Sequence, residues 1–153
     1  IKICLTIAPN LRLIIVGDGN ERKNLSWIAK KMEIDALVWL IGEQTQVRKW
    51  LDSFDVYIAT AESPDLEDYY NILEAMTARL PIIGPRNVGL ENIILENKTG
   101  LLIAGNNSEM LALQIIKLYK DKKLRQQLGA NGQKHIQQFF TLDKIVDKFA
   151  TLL

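Results

Sequence analysis

The strongest constraint on the fold is a regular alternation of short apolar segments with longer amphipathic ones. Residues 11–17 (LRLIIVG) and 37–42 (LVWLIG) are rich in apolar residues and closed by glycine, which is typical of strands buried on both faces. The same pattern predicts three more strands, at residues 55–60, 81–84 and 100–103. Because parallel strands are joined by crossover helices, the alternation indicates a parallel sheet rather than a set of hairpins.

Helical patterns occupy the segments between these strands and the last third of the chain. The predicted helices span residues 20–33, 45–54, 71–80, 89–97, 108–119, 122–140 and 142–153. Strand and helix alternate five times, so the sequence predicts an α/β fold with a Rossmann-like parallel sheet flanked by helices. Gly129 and Gly132 are expected to weaken the helix in which they lie.

Composition excludes several classes of function. The 153 residues have the size of one domain, and 19 basic against 18 acidic side chains leave no excess of positive charge for nucleic acid. One cysteine, Cys4, and one histidine, His135, provide too few ligands for a Cys- or His-based metal cluster, so we expect no metal site. No apolar run reaches the roughly 20 residues of a membrane span. A single cysteine does not determine the redox compartment, although it fits a reducing cytosol.

The loops that follow the strands are the candidate ligand sites, because open parallel sheets bind ligands at the carboxyl ends of their strands. Gly17, Asp18 and Gly19 follow the first strand and open a helix, where glycines admit a ligand and free helix amides favour an anion. A tight turn that needs positive φ is the alternative explanation of the two glycines. The third glycine of a dinucleotide-binding fingerprint would fall at Arg22, so that fingerprint is incomplete.

A second candidate lies in residues 67–74 (EDYYNILE), which overlap an acidic loop predicted at residues 62–68. Glu74 is expected on the first turn of the helix at 71–80, where its carboxylate could accept hydrogen bonds from both ribose hydroxyls of a nucleoside. The alternative is a solvated carboxylate that merely complements the helix dipole. The candidate ligands of a diphosphate are the helix-start amides of Tyr69, Tyr70, Asn71 and Ile72.

Other conspicuous residues favour structural explanations. Trp27, Trp39 and Trp50 occupy helix or strand positions and are predicted to be core residues. His135 is expected to be structural or exposed rather than catalytic. The basic run at residues 120–125 is interpreted as a solvated helix face, with a membrane-surface role as the alternative.

Six segments, taken in order, carry a family resemblance: LRLIIVGDGNERKNL, LVWLIGE, FDVYIAT, NILEAMTARLPII, VGLENIILENKTGLLI and LRQQLGANGQKHI. They cover nearly the whole chain, and their joint order is more specific than any single motif. The set resembles the C-terminal lobe of retaining glycosyltransferases with the GT-B fold, family 4 type, which are also called group 1 glycosyltransferases.

The resemblance implies an enzyme that moves a sugar from a nucleotide diphosphate sugar to an acceptor with retention of configuration. The C-terminal lobe binds the donor in such enzymes, so residues 1–153 are expected to form a single nucleotide-sugar-binding domain. Glu74 matches the second glutamate of the family's paired-glutamate motif, which holds the ribose, and residues 17–19 match its Gly-rich loop. The resemblance implies no cofactor and assigns donor binding to Gly17, Asp18, Gly19, Arg22, Gly42, Tyr69, Tyr70, Asn71, Ile72 and Glu74.

Three departures from the family pattern bear on function. The family places its first glutamate eight positions before Glu74, where this chain has Leu66. Glu67, one residue later, is the candidate catalytic residue and would contact the sugar hydroxyls. Arg79 stands where the family usually has glycine. The family's Arg and Lys that neutralise the diphosphate lie on a segment that would precede Ile1.

The chain starts at Ile1 rather than Met, and its first residues up to Pro9 resemble the tail of a helix. We therefore interpret it as a fragment without the N-terminal acceptor lobe and the first strand of its own lobe. The alternative is an intact small protein whose Met has been removed. The N-terminal lobe is the expected partner, and an acceptor at a membrane surface is typical of the family. The corresponding location is cytoplasmic, with a peripheral position at the cytoplasmic face of the membrane. We expect a hexosyltransferase whose isolated fragment is inactive.

Three alternatives stay open at this point. A non-catalytic module that binds a nucleotide sugar or a partner protein is favoured by the altered region around Glu67. A sugar-nucleotide epimerase of the same two-lobe fold is a second alternative. A Rossmann domain that binds a nicotinamide cofactor is the weakest, because its glycine fingerprint is broken.

Overall fold

The computed structural model of the chain describes residues 1–61, 63–105 and 107–140. Its strands are β1 (Leu13–Val16), β2 (Val38–Gly42), β3 (Tyr57–Ile58), β4 (Ile82–Pro85) and β5 (Gly100–Ile103). Its α-helices are α1 (Arg22–Lys31), α2 (Val47–Leu51), α3 (Leu66–Thr77), α4 (Val88–Glu91), α5 (Ser108–Lys120) and α6 (Lys122–Phe139). Lys2–Thr6 and Asp35–Leu37 form 3-10 helices. The helix predicted at residues 142–153 lies outside the described residues.

Every ladder between the described strands is parallel, which confirms the predicted α/β fold with helices flanking parallel strands. The chain divides into two compact units, Ile1–Val47 and Arg48–Leu153. In the described residues, β1 pairs with β2 in the first unit, and β3, β4 and β5 pair in that order in the second. The strands therefore hydrogen-bond as two sheets, whereas the alternation had predicted one. No helix in the described part of the chain is long and apolar enough to cross a bilayer.

The first unit buries small residues and leaves two tryptophans at its surface. Ala29 of α1 is buried, whereas Trp27, two positions away and therefore on the opposite side of the helix, is 58 % exposed. Trp39 of β2 is 45 % exposed. The prediction that both are core residues is wrong, because both rings are exposed, and each has one cation beside it. Lys31 Nζ lies 4.9 Å from the Trp27 ring centroid, and Arg12 Cζ lies 5.7 Å from that of Trp39.

The second unit has a continuous apolar core around its three-stranded sheet. All residues of β4 and β5 are buried, as predicted for parallel strands that are covered on both faces. The helices contribute the remaining large buried side chains, which include Ile72, Met76, Leu118 and Leu128. Trp50 of α2 is half-buried in this unit.

Helix α6 lies unusually close to the C-terminal end of α3. A Cβ atom at Gly129 would overlap the carbonyl oxygen of Arg79, so only glycine permits this approach. The Gln133 side chain secures the contact, since its amide donates to the Thr77 carbonyl at 2.9 Å and its carbonyl accepts from Arg79 Nε at 2.8 Å. The helix is continuous past both glycines, so Gly129 and Gly132 do not interrupt it.

The contact between α6 and the end of α3 involves Arg79, which stands where the family usually has glycine. Arg79 follows α3 with φ of +62°, a left-handed conformation that glycine adopts without strain. An arginine there costs about 1 kcal/mol relative to the right-handed region. Its hydrogen bond to Gln133 of α6 offsets part of that cost.

We predict opposite effects of alanine at the two glycines of α6. Gly129→Ala should lower the free energy of unfolding by about 3 kcal/mol or more, because its Cβ meets backbone. Gly132→Ala should raise it by about 0.5–1 kcal/mol, because its Cβ would lie 3.6 Å from Met76 Cε and alanine is the better helix former. Urea unfolding followed by circular dichroism measures both, and a Gly129→Ala chain as stable as the wild type would contradict the close approach.

His135 of α6 is held among aromatic rings. Its ring centroid lies 5.1 Å from that of Phe139 and 5.6 Å from that of Phe140. Its Nε2 atom is buried and has no hydrogen-bond partner among the described residues. Burial lowers the pKa of the His135 imidazole below its usual value. The predicted structural role of this residue agrees with this environment.

The lowered pKa predicts a pH dependence of stability. Since the folded chain binds the His135 proton less readily than the unfolded chain does, stability is fully present above the unfolded pKa of about 6.5 and decreases as pH falls through the folded pKa. Urea unfolding at a series of pH values should show this decrease below pH ~6.5. His135→Phe keeps an aromatic ring and should flatten that part of the profile. An unchanged profile in the variant would assign the decrease to other groups.

Candidate functional site

The carboxyl ends of β1 and β2 meet at two glycines in the first unit. Gly17 N donates to Gly42 O at 2.8 Å, which adds a bridge beyond the last paired residues of the two strands. Gly17 has φ of +118° and Gly42 has φ of +72°, both in the range that L side chains rarely adopt. The alternative explanation of Gly17, a turn that requires positive φ, is therefore correct for its backbone, and it does not exclude a ligand.

Asp18 and Arg22 tie the loop after β1 to the end of β2. Asp18 accepts from Gly19 N at 2.8 Å and from Arg22 Nη1 at 3.3 Å. Arg22 Nη2 donates to the Leu40 carbonyl at 3.0 Å. A Cβ at Gly42 would lie 3.1 Å from Arg22 Nη1, so the glycine leaves room for the guanidinium. Five predicted donor-binding residues thus form one cluster in the first unit, the glycine cluster: Gly17, Asp18, Gly19, Arg22 and Gly42.

The glycine cluster presents polar groups to solvent rather than a closed pocket. The side chains of Asp18 and Arg22 are about half exposed. Gly19 has no positive φ, and a Cβ placed on it would have no neighbour within 4 Å. Unlike Gly17, Gly19 is therefore not required by the fold. A ligand that approaches the backbone closely at this position would explain why the residue is glycine.

In the second unit, α3 begins earlier than the sequence analysis predicted. The helix starts at Leu66 rather than Asn71, so Glu74 lies on its third turn and not on its first. A capping box determines this start: Asp65 Oδ1 accepts from Asp68 N at 3.0 Å, and Asp68 Oδ2 accepts from Asp65 N at 3.1 Å. The predicted loop at residues 62–68 is therefore wrong in its last three residues.

The earlier start changes what four of the predicted residues can offer. The amide of Tyr69 donates to Asp65 O at 3.3 Å, and the amides after it lie inside the helix. The prediction that these amides are free to hold a diphosphate is therefore wrong for Tyr69, Tyr70, Asn71 and Ile72. Any role of these four residues rests on their side chains.

Those side chains occupy different environments. Ile72 is almost fully buried, and Asn71 is half-buried. Tyr69 extends to α4, where its hydroxyl occupies the space that a Cβ on Gly89 would need. Tyr70 is 59 % exposed. Glu67 and Glu74 are both exposed, and neither forms an ion pair among the described residues.

A small cavity opens where β3 ends, as expected for a ligand site in a parallel sheet. Its volume is about 50 Å³, which is too small to enclose a nucleotide sugar but sufficient for one group of such a ligand. The cavity is lined by residues of β3 and the loop after it, by two residues of α3 and by one of α4: Tyr57, Ile58, Ala59, Thr60, Ala61, Pro64, Asp68, Ile72 and Leu90.

Tyr57 connects this cavity to Glu74. Burial raises the pKa of the Tyr57 phenol, and the negative charges of Asp68 and Glu74 raise it further. Both carboxylates therefore lie near the phenol, and Tyr57 remains protonated at neutral pH. Tyr57 and Asp68 line the cavity together with Thr60, whereas Glu74 lies outside its lining and acts on the phenol through its charge.

A salt-bridge network fixes α4 beside the cavity. Arg86, directly after β4, pairs with Glu91 of α4 at 2.9 Å and with Glu96 at 2.6 Å. The hydrogen bond to Glu91 raises the pKa of the Arg86 guanidinium. Asn87 caps α4 by accepting from Leu90 N at 2.9 Å. Arg86 is therefore committed to protein carboxylates.

Sequence reasoning missed Tyr57, Asp68 and Arg86. The spacing of Asp65 and Asp68, two acidic residues three apart before an apolar run, is the capping signal that would have indicated the true start of α3. No sequence pattern marked Tyr57 or Arg86, because the partners of each lie on other elements and at spacings that match no helix or strand period. No group of three or more potential metal ligands occurs together in the described residues.

Comparison with known proteins gives a family match. Residues 2–135 match the family described as "Glycosyl transferases group 1". The chain is 29 % identical over 141 residues to the N-acetyl-alpha-D-glucosaminyl L-malate synthase of Bacillus anthracis, covering 92 % of this chain and 36 % of that protein. The chain thus spans little more than a third of this curated relative.

Two solved structures have the same fold. TarM of S. aureus, solved with Fondaparinux, alpha-GlcNAc-glycerol and UDP, superposes with a TM-score of 0.88 at 22 % identity, over 99 % of this chain and 30 % of that one. The C-terminal domain of LpcC, a group 1 family glycosyl transferase of Francisella tularensis, superposes with a TM-score of 0.81 at 19 % identity, over 92 % of this chain and 75 % of that one.

The glycine cluster allows a structural role to be separated from a binding role. Gly17→Ala should lower the free energy of unfolding by about 1–2 kcal/mol, because φ of +118° strains any L side chain. Gly19→Ala should leave stability within about 0.5 kcal/mol of the wild type, since its Cβ has no neighbour. Urea unfolding of both variants tests the difference, and equal losses would contradict it.

Proposed function

Because the chain belongs to the group 1 glycosyl transferases, we propose that it is the part of a sugar transferase that binds a nucleotide diphosphate sugar donor. The observation that carries the proposal is the family match over residues 2–135, together with a polar site at the carboxyl end of β3. The relatives named above are transferases and synthases of sugar conjugates, and TarM was solved with UDP. UDP is therefore the first nucleotide to test.

We assign the ribose to Glu74. A carboxylate can accept hydrogen bonds from two vicinal hydroxyls at once, and Glu74 is exposed and free of ion pairs among the described residues. The effect of its charge on Tyr57 supports a position near the cavity. The residues of the glycine cluster are proposed as the donor contacts of the first unit.

The diphosphate requires a source of positive charge. The start of α3 carries the carboxylates of Asp65, Glu67 and Asp68, and two of them already occupy helix-start amides. These negative charges therefore repel a phosphate group at this end of the helix. We propose that the cations that neutralise the leaving diphosphate lie outside residues 1–153, as the family resemblance implies.

The parent enzyme is proposed to be a retaining hexosyltransferase of the family 4 type, located in the cytoplasm. Glu67, exposed in the first turn of α3, is the proposed contact of the donor sugar. Stabilisation of the departing charge is usually the largest catalytic contribution. Because that contribution is assigned to residues outside this chain, the isolated chain is proposed to bind donor without transferring sugar.

One observation favours a non-catalytic binder as the second candidate. Leu66, at the position of the family's first glutamate, is 68 % exposed at the start of α3 and offers no hydrogen-bonding side chain. Glu67 is the next residue, and its side chain leaves the helix about 100° further around the axis than that of Leu66. A longer form of the protein that binds donor but releases no nucleotide when acceptor is supplied would favour this candidate.

Calorimetry with UDP, GDP and ADP on the 153-residue chain tests the donor proposal. We expect one nucleotide to bind and Glu74→Ala to weaken its binding by about 1–3 kcal/mol, since charge-assisted hydrogen bonds are lost. Glu109→Ala, which removes another exposed glutamate in α5, is the matched control and should leave affinity unchanged.

Two outcomes would count against the proposal. Equal affinities of the Glu74→Ala variant and the wild type would contradict the ribose role. Failure of all three nucleotides to bind a folded chain would contradict donor binding by residues 1–153. Circular dichroism of each variant verifies the fold beforehand.

A further inference from the structure

The outer side of α1 combines exposed apolar side chains with lysines. Trp27 lies on the side opposite the buried Ala29 and is 58 % exposed. Lys23 precedes it by four residues and Lys31 follows it by four, so the three side chains form one ridge along the helix. The ammonium group of Lys31 lies 4.9 Å from the Trp27 ring centroid. A large aromatic ring at the centre of a helix's solvent side is costly to leave in water.

The lysines of this ridge form no ion pair with the carboxylates that the structure describes. Every ion pair among the described side chains uses an arginine, and none involves Lys23, Lys30 or Lys31. The carboxylate of Glu21, before the helix, accepts instead from Asn24 Nδ2 at 2.8 Å. The outer side of α1 therefore presents three free ammonium groups.

Further apolar and basic groups flank the ridge, with Ile28 about 100° and Met32 about 140° around the helix axis from Trp27. Ile28 and Met32, one turn apart, are 36 % and 38 % exposed. Lys2 donates its Nζ to the Met32 carbonyl at 2.9 Å, which adds a fourth cation at the C-terminal end of α1. We name the surface formed by Lys2, Lys23, Trp27, Ile28, Lys30, Lys31 and Met32 the α1 surface.

We propose that the α1 surface binds the headgroup region of an anionic lipid bilayer. Charge complementarity selects this occupant, because lipid phosphates supply the counter-charges that the lysines lack, at about 1 kcal/mol for each cation. The ring of Trp27 is amphipathic and partitions to the headgroup level, and lysine stems add apolar contact while their ammonium groups remain solvated. A nucleic acid is disfavoured as the occupant because the chain has a net charge of only +1. The proposal is independent of the transferase assignment.

Tryptophan fluorescence makes the proposal testable at a single residue. The chain has three tryptophans, so a Trp39→Phe/Trp50→Phe variant retains Trp27 as its only indole. Vesicles of equal parts phosphatidylglycerol and phosphatidylcholine should shift the Trp27 emission to the blue, and brominated acyl chains should quench it. Vesicles of phosphatidylcholine alone should do neither. If that variant does not fold, sedimentation of the wild type and Trp27→Ala with the same vesicles gives the corresponding comparison.

Charge variants locate the binding surface. Lys23→Gln/Lys31→Gln removes two charges and should lower vesicle binding about thirtyfold in low salt. Lys122→Gln/Lys123→Gln removes two charges from the start of α6 and serves as the matched control, with binding within about twofold of the wild type. Nucleotide affinity should be unchanged in both variants.

Three results would overturn the proposal. Equal binding to neutral and anionic vesicles would remove the electrostatic basis. An unshifted Trp27 emission despite sedimentation with vesicles would exclude the ring from the contact. An equal or larger loss in the α6 control would move the contact to the basic run at residues 120–125.

Discussion

The approach of α6 to the C-terminal end of α3 is the contact on which the second unit depends. Helix α3 connects β3 to β4 and carries Asp68, Glu74 and the tyrosines beside the cavity, so its position determines the geometry of the candidate site. The apolar side of α3 holds it on the sheet, but burial alone does not determine where a helix lies along its axis. The backbone contact at Gly129 fixes the position of α3 along its axis, because the space between Gly129 and the Arg79 carbonyl leaves no room for a side chain.

The parts of the fold that could be predicted are those in which local sequence and tertiary burial agree. β4 and β5 are short, apolar and fully buried, and their sequences are strand-like on any reading. The start of α3 could not be predicted from hydrophobic periodicity, since Asp65 to Tyr70 reads as a polar loop. Reciprocal hydrogen bonds between Asp65 and Asp68 stabilise a helical start there, and a cap is a local signal that hydropathy does not contain.

Helix α1 illustrates a different limit of sequence analysis. Apolar residues occur on both sides of this helix, so the sequence predicted a core position for Trp27 without a means of deciding which side faces the sheet. The structure buries the small side chain of Ala29 and exposes the large one. For the candidate site, the glycine cluster was predicted as a set because its residues adjoin strand ends. Tyr57 and Arg86 could not be, since their partners lie 5 to 17 residues away on other elements and no periodic pattern links them.

The charges on α3 and on Arg86 bear on how donor recognition and catalysis would be divided in the proposed sugar transferase. Breaking the bond between a sugar and a diphosphate leaves negative charge on the departing group, and a site accelerates this step only by placing positive charge where that charge develops. The start of α3 has three carboxylates, and Arg86 beside the cavity is already paired with Glu91 and Glu96. Asp65 and Asp68 are engaged in the cap, which leaves Glu67 and Glu74 as the exposed acceptors of α3. Carboxylates at this site suit neutral hydroxyl groups, which donate hydrogen bonds, better than they suit phosphate. Under the proposed function, the exposed carboxylates of α3 suit the ribose or the sugar of a donor, and we propose that the positive charge for its cleavage is not supplied by this helix.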